Sequence, residues 1–294
     1  MATSTGGDHM EGVKVACGQI TWGRDYPREK VLAEIAEAGY DGAPAGRYIS
    51  GSAKEVLDLY ERYGLKPAPG YIGLEWWKPE LRAQQVDQAA QQAAFARELG
   101  LTEIYVASSL TPERRAISGQ VTPATATPTS ELAKFADLLN EIGRVTQREG
   151  VSICLHNHVG SPVETRDEID RLFALVDRSV VFQGADIGHL AWAGDDIVQF
   201  TKDYVDSIKT LHLKDISGSV LAEGRAKKWD YKAFSDHGIF AEFGEGIVDF
   251  PAMFAVLKQA GFKGWVVVET DVTQRPTALE SAKASRKYLH SLGV

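Results

Sequence analysis

The chain has 294 residues, of which 44% are hydrophobic and 24% charged, and a formal net charge of −8. That composition supplies a large apolar core and excludes disordered and fibrous classes. The negative field repels phosphate backbones and anionic lipid, so nucleic acid and membrane surfaces are poor partners, and no apolar run reaches the ~18 residues a spanning helix needs.

Residues 1–11 are small and polar and read as a disordered tail ahead of a single domain spanning 12–294. They carry neither a basic region nor an apolar signal segment, so a cytoplasmic location is expected. Cys17 and Cys154 each sit in an apolar run, and both read as reduced, buried residues rather than a disulfide. From Val13 onward short apolar runs alternate with segments of helical period. The runs are VKVACGQI (13–20), 40–45, KPAPGYI (66–72), TEIYVAS (102–108), SICLHNH (152–158), VVFQGADI (180–187), IKTLHLKD (208–215) and WVVVETD (265–271). Several are nearly continuous in Val, Ile, Leu or Cys, as parallel strands buried on both faces require. Between them, REKVLAEIAEAGY places Val31, Leu32, Ile35 and Ala36 on one face and stops at Gly39. The pattern returns in AKEVLDLYERYGL, ending at Gly64, and then in 79–100, 129–150, 165–177, 195–204 and 249–261. Eight strands alternating with helices predict an α/β fold, a single (β/α)8 TIM barrel. The second strand is the weakest, because Pro44 cannot donate to a ladder. Two long loops, 109–128 and 216–248, fall on the C-terminal rim where barrel enzymes build their sites. The first reads as flexible. The second, with Trp229, Tyr231 and Phe234, reads as a lid. Trp76 and Trp77 after the third strand form an apolar patch expected to wall a pocket or meet another subunit.

The chemistry is concentrated on the last four strands. His156 and His158 close the fifth, Asp186 and His189 the sixth, His212 and Lys214 the seventh, and Glu269 and Asp271 the eighth. Each ends an otherwise apolar run at its C-terminal side. Burying imidazoles and carboxylates together costs several kcal/mol unless they pair or hold a cation. His156, Asp186, His212 and Glu269 are therefore the candidate metal ligands, and the donor set suits Mn²⁺, Co²⁺ or Zn²⁺, with Mg²⁺ as an alternative, better than Ca²⁺. His158 and His189 either orient those ligands or are hydrogen-bonded core residues. Lys214 lies on the same side of its strand as His212, and either contacts substrate or pairs with Asp186 or Asp215. Trp22, His189, Lys214 and Glu245 (in FGEGIVDFP) are candidate substrate contacts, whereas Asp215 and Asp271 read as turn or cap residues.

LHNHVGSPVET (155–165), ADIGHLAWAGDD (185–196), IKTLHLKDI (208–216) and GIFAEFGEGIVDFPAMFAVLKQAGFKGWVVVETD (238–271) carry a resemblance. They resemble the xylose-isomerase-like barrel superfamily of sugar isomerases and epimerases, and within it the inosose dehydratase family. The likeness implies a cytoplasmic, metal-dependent lyase, with Mn²⁺ as first choice, that removes water by β-elimination next to the ketone of an inosose-like keto-cyclitol. A lyase expelling the alcohol from a 3-keto sugar or 3-keto glycoside is the second reading, and a keto-sugar epimerase or isomerase the third. The likeness implies Glu269 or His156 as base, with His158 or Lys214 assisting the leaving group, and a homodimer or homotetramer. Two departures concern substrate. The superfamily's Gly-x-Glu-x-Gly on the second strand is Gly42-Ala43-Pro44-Ala45-Gly46 here, and the fourth-strand loop containing TPATATPTS is individual to this chain.

Overall fold

Apolar runs too short for helices pair side by side as parallel strands, because only pairing satisfies their backbone groups in a dry interior. The computed structural model describes residues 9–23, 25–46 and 51–294. Its strands are β1 (Val13–Cys17), β2 (Gly42–Pro44), β3 (Lys66–Ala68), β4 (Tyr71–Leu74), β5 (Glu103–Ser108), β6 (Ser152–Leu155), β7 (Val181–Gln183), β8 (Leu211–Leu213), β9 (Asp215–Ile216), β10 (Phe240–Ala241) and β11 (Gly264–Val268). One ladder runs β3-β2-β1-β11-β8 and another β4-β5-β6-β7. Parallel bridges Gln183↔Ile208 and Asp186↔His212 join β7 to β8. On the opposite side β3 leads into β4 across Pro69 and Gly70, β3 pairing with β2 and β4 with β5. The third apolar run is thus one barrel strand broken in two, and the ring closes with eight strand positions as an α/β (β/α)8 barrel.

Side-chain alternation sorts this barrel into two layers. On β5, Ile104 and Val106 face the helices, while Tyr105 joins Ala16, Ala68, Cys154, Trp265 and Val267 inside the ring. Thr210 meets the Tyr105 hydroxyl and donates to the Trp265 carbonyl at 2.8 Å. The outer layer is made by stripes such as Leu132, Phe135, Ala136, Leu139 and Ile142 on the helix Thr129–Gln147. Helices end where the sequence placed glycines; Gly39 adopts φ +84°, a left-handed conformation that closes the helix Arg28–Glu37. Cys17 and Cys154 are free and buried. No helix among the described residues is long and apolar enough to cross a membrane.

Several expectations are corrected. Residues 1–8 of the expected tail lie outside the described residues, but Met10 is buried and its N–H donates to the Gly293 carbonyl at 2.8 Å, so packing begins before residue 12. Pro44 is accommodated in the short strand β2, its carbonyl accepting from the Tyr60 hydroxyl at 2.9 Å and from Arg28 at 3.1 Å. Trp76 and Trp77 do wall a pocket, as expected, a separate cavity shared with Lys78, Pro79 and Arg82, but Trp76 is not an exposed patch. It is buried, stacks on Phe135 at 5.4 Å, donates to the Ser108 hydroxyl at 2.9 Å, and holds the half-buried Trp77 edge-on.

The loop 109–128 is pinned rather than flexible. Thr111 caps a short helix, Pro112–Arg115, whose Arg114 turns inward to Glu168 at 2.7 and 3.0 Å and to Glu164 at 3.5 Å. The same two carboxylates accept N–H groups of Gly119 at 2.7 Å, Thr127 at 2.8 Å and Gly160 at 2.9 Å. Burial pushes the Glu164 carboxyl up to about 7; burial also opposes ionisation of Glu168, but its bonds to Arg114 hold it below the usual carboxylate range. Arg114→Ala strands two buried carboxylates, so it is expected to cost about 3–5 kcal/mol in chemical denaturation. A loss of less than ~1 kcal/mol, the worth of a surface pair, would show that the network does not hold the loop.

Residues 216–248 form a packed cover containing the helices Gly218–Lys227 and Tyr231–Asp236 and the antiparallel pair β9–β10. It is tied to the first loop by Gln120 donating to the Trp229 carbonyl at 2.8 Å and Arg225 donating to the Gly119 carbonyl at 3.1 Å.

Candidate active site

The polar residues singled out on the late strands gather at the strands' C-terminal ends, His212 within β8 and His189 on the helix after β7, and main-chain bonds fix the height of three of them. The His156 N–H donates to the Val106 carbonyl at 2.8 Å, that of His212 to Ala185 at 3.0 Å and that of Glu269 to Leu213 at 3.0 Å. Asp186 is the N-cap of the helix Ile187–Ala193. One of its oxygens accepts the His189 N–H at 2.9 Å, and Asn157 grips its main chain from both sides at 3.0 and 3.2 Å. That leaves the second oxygen, Oδ2, facing the barrel axis, where Lys214 Nζ meets it at 2.7 Å. Donor atoms of His156, Asp186 and His212 all lie within 4.8 Å of one another. The Glu269 carboxylate lies beside them, 3.1 Å from His212 Nδ1 and 2.7 Å from Lys214 Nζ. A Cβ on Gly18 would collide with this carboxylate, so the residue after β1 has to be glycine. Tyr105 forms the floor, its ring edge-on to His212 at 4.3 Å.

The electrostatics follow from burial. Lys214 is 2% exposed and lies within 2.7, 2.7 and 3.5 Å of Asp186, Glu269 and Asp271. Burial works against its charge, yet those carboxylates hold the ammonium well above the usual lysine range. Burial likewise opposes ionisation of Glu269, but Lys214 and His212 hold it well below the usual carboxylate range. Burial pushes Asp271 up to about 6. It lowers His158 to about 4 and drives His156 and His189 well below the usual histidine range, so all three are neutral imidazoles at pH 7. Three carboxylates around one ammonium leave the cluster with negative charge in excess, which one dication would match. Buried His156 Nδ1 and His212 Nε2 have no partner among the described residues. Neutral imidazole with carboxylate is the donor chemistry of a borderline divalent ion, so these residues fit one.

The structure brings together His156, His158, His212, Lys214 and Glu269, which line a cavity of about 300 Å³ with Tyr71, Arg115, Tyr231 and Asp271. Asp186 lies directly beneath Lys214. His189 is fully buried behind His158, the rings 3.7 Å apart, and is not among the residues lining the cavity, so it backs the wall rather than making the expected substrate contact. Two further expectations fail. Trp22 turns away to the helix Arg28–Glu37, donating to Glu34 at 2.5 Å, and takes no part in the cavity wall formed by the described residues. Glu245 points outward to Arg275. The loop around it is instead held by Asp215, which accepts N–H groups of Gly244 at 2.9 Å, Gly246 at 3.1 Å and Val248 at 3.1 Å, a structural role as expected. Asp271 is the residue that sequence reasoning missed. The period-two rule that ties Lys214 to His212 ties Asp271 to Glu269, and it faces the cavity rather than capping a turn.

Residues 32–292 match the family model of the xylose isomerase-like TIM barrel. The chain belongs to this family. It is 29% identical to an inosose dehydratase of Clostridium beijerinckii over 96% of this chain and 97% of that one. Among solved structures of this barrel family, the probable 3-DHS dehydratase AsbF of Bacillus anthracis superposes with a TM-score of 0.72 at 15% identity, covering 94% of this chain and 98% of that one. The IOLI protein with a bound zinc atom superposes at 0.71 and 17% identity, covering 95% and 98%.

Proposed function

We propose that this chain is a divalent-metal-dependent hydro-lyase that removes water next to the ketone of a keto-cyclitol of the inosose class. The observation that carries the reading is the convergence of His156, Asp186 and His212 donor atoms within 4.8 Å, beside Glu269 and Lys214, at the base of a cavity the size of a small polyol. The near full-length likeness to an inosose dehydratase supports the reaction class, and the zinc held by a protein of the same fold supports the metal.

His156, Asp186 and His212 would hold the ion, with Glu269 adjoining. A divalent ion there supplies Lewis acidity toward the substrate's ketone oxygen. Glu269 is the base in this reading. It takes the α-proton, the C–H electron pair becomes the C=C bond, and the β C–O bond breaks to release hydroxyl, which leaves as water on receiving a proton. Lys214 and Asp271 are the donors at hand for that proton, standing on the same wall as Glu269. His158 is not such a donor. Its Nδ1 lies 2.7 Å from the Val159 carbonyl and so carries the ring's proton, leaving Nε2 as an acceptor.

A lyase acting on a 3-keto glycoside is the second reading, and one observation favours it. Pro44, where the superfamily motif has its acidic residue, lines the cavity together with Ala45, so this side has room for a larger leaving group. The test is activity of Mn²⁺-loaded protein on scyllo-inosose and, in parallel, on a 3-keto glucoside, read as ultraviolet absorbance of the conjugated enone product. Turnover of the inosose, abolished by chelation and regained with Mn²⁺ or Zn²⁺, is the expected result. Turnover of the glucoside alone moves the protein to the second reading, and silence on both with metal bound rejects elimination.

A further inference from the structure

The loop 109–128 contributes to the cavity one charged side chain, Arg115, that the chemistry above does not use. Arg114 is locked inward by Glu168 and Glu164, and neighbouring helical residues point in different directions. Arg115 is therefore held on the other side of the short helix, where its guanidinium lies over the Tyr231 ring, 5.4 Å from the centroid. Tyr231 in turn stacks over His158 at 6.0 Å, and His158 over His189 at 3.7 Å. Arg115 thus stands at the outer end of a ring column whose inner end is the donor cluster.

Its place in the cavity lining is what needs an explanation, because an exposed guanidinium is solvated and needs no acidic partner. Lys214, the other cation of the wall, is surrounded by three carboxylates. No acidic side chain among the described residues pairs with Arg115, although acidic residues outnumber basic ones in this chain, 40 to 32. An exposed guanidinium at the edge of a cavity, steadied by an aromatic face and without an acidic partner, has its N–H donors free for a carboxylate. We infer that Arg115 forms an anion subsite, and that the substrate is a cyclitol-type ring bearing a carboxylate on the side away from the reacting carbons. This rests on the keto-cyclitol reading and narrows its substrate class.

The test compares two unreactive ring probes by calorimetry on the Mn²⁺-loaded protein: quinate, a carboxylated cyclitol, and uncharged myo-inositol. Quinate is expected to bind at least about tenfold tighter, the discrimination a charge-assisted fork provides. Arg115→Gln should abolish that ratio and Arg115→Lys restore part of it, because lysine keeps the charge and loses the fork. Arg115 is exposed, so both variants are expected to fold, and circular dichroism checks this. Equal binding of the two probes overturns the inference, as does binding of neither. A quinate preference that survives in Arg115→Gln also overturns it, since the carboxylate then sits on the metal ligands' side. Inorganic phosphate competing better than acetate for the quinate site would make the receptor a phosphate subsite and likewise reject the carboxylate. Turnover of scyllo-inosose by the wild type is read separately. If neither it nor a keto-cyclitol bearing a ring carboxylate is turned over while the probe ratio stands, the dehydration reading falls and the anion subsite does not.

Discussion

Glu269→Gln is expected to lower the dehydration rate by about 10²–10⁴-fold, the range that a positioned general base contributes. The substitution keeps the shape of the side chain and removes only the atom's ability to take a proton. It is chosen because the surroundings tolerate the loss of charge. Lys214 retains Asp186 at 2.7 Å and Asp271 at 3.5 Å, and an amide oxygen still accepts from His212. The donor triad His156, Asp186 and His212 is untouched. Metal content by elemental analysis and the thermal midpoint should therefore stay close to wild type while turnover collapses. Near-normal turnover at full metal occupancy would remove Glu269 as base and pass the role to His156. Loss of metal together with activity would instead make Glu269 a ligand first, and leave its role in proton transfer unsupported.

The convergence of the site residues at one rim is legible in the sequence because burial makes polar residues conspicuous. His156, Asp186, His212 and Glu269 each interrupt or end a run of apolar residues, and a parallel barrel brings strand ends to one rim whatever the helices do. Fold class followed from the same alternation. What failed was everything that depends on where a chain goes after its strand ends. Trp22 follows the first apolar run, but β1 stops at Cys17 and residues 19–22 wind into a turn, so strand phase does not tell which way the indole points. Glu245 was misplaced because Asp215, thirty residues earlier in the chain, gathers the backbone N–H groups of its loop and turns the side chain outward. The composition of 109–128 suggested a loose loop, and nothing local reveals that Glu164 and Glu168 reach across to pin it. Long-range polar pairs leave no periodic signal. Asp271 does leave one, in its spacing from Glu269, but an aspartate at a strand end is more often a cap, which is how its sequence context reads.

Lys214→Met should be the most destabilising single change in the site, and the metal should offset it. The side chain is almost fully buried and its ammonium lies within 3.5 Å of Asp186, Glu269 and Asp271. Methionine fills nearly the same space but leaves three carboxylates facing one another without a cation. Removing one partner of a buried ion pair costs about 3–5 kcal/mol, so the metal-free variant should melt well below the metal-free wild type. A divalent ion bound to His156, Asp186 and His212 brings positive charge to the same place. A ligand that binds only the folded form stabilises it by RT ln(1 + L/Kd), L being its free concentration, and the carboxylate cluster lacking its ammonium should bind a dication more tightly. The rise in thermal midpoint on adding Mn²⁺ should therefore be larger in Lys214→Met than in wild type. Activity should stay low even so, because the dication restores charge but not the proton donor beside the leaving oxygen. If the metal-free variant melts like the wild type, Lys214 does not hold the carboxylates together. If Mn²⁺ raises both midpoints equally, the ion does not sit among them, and the ligand assignment to Asp186 fails with it.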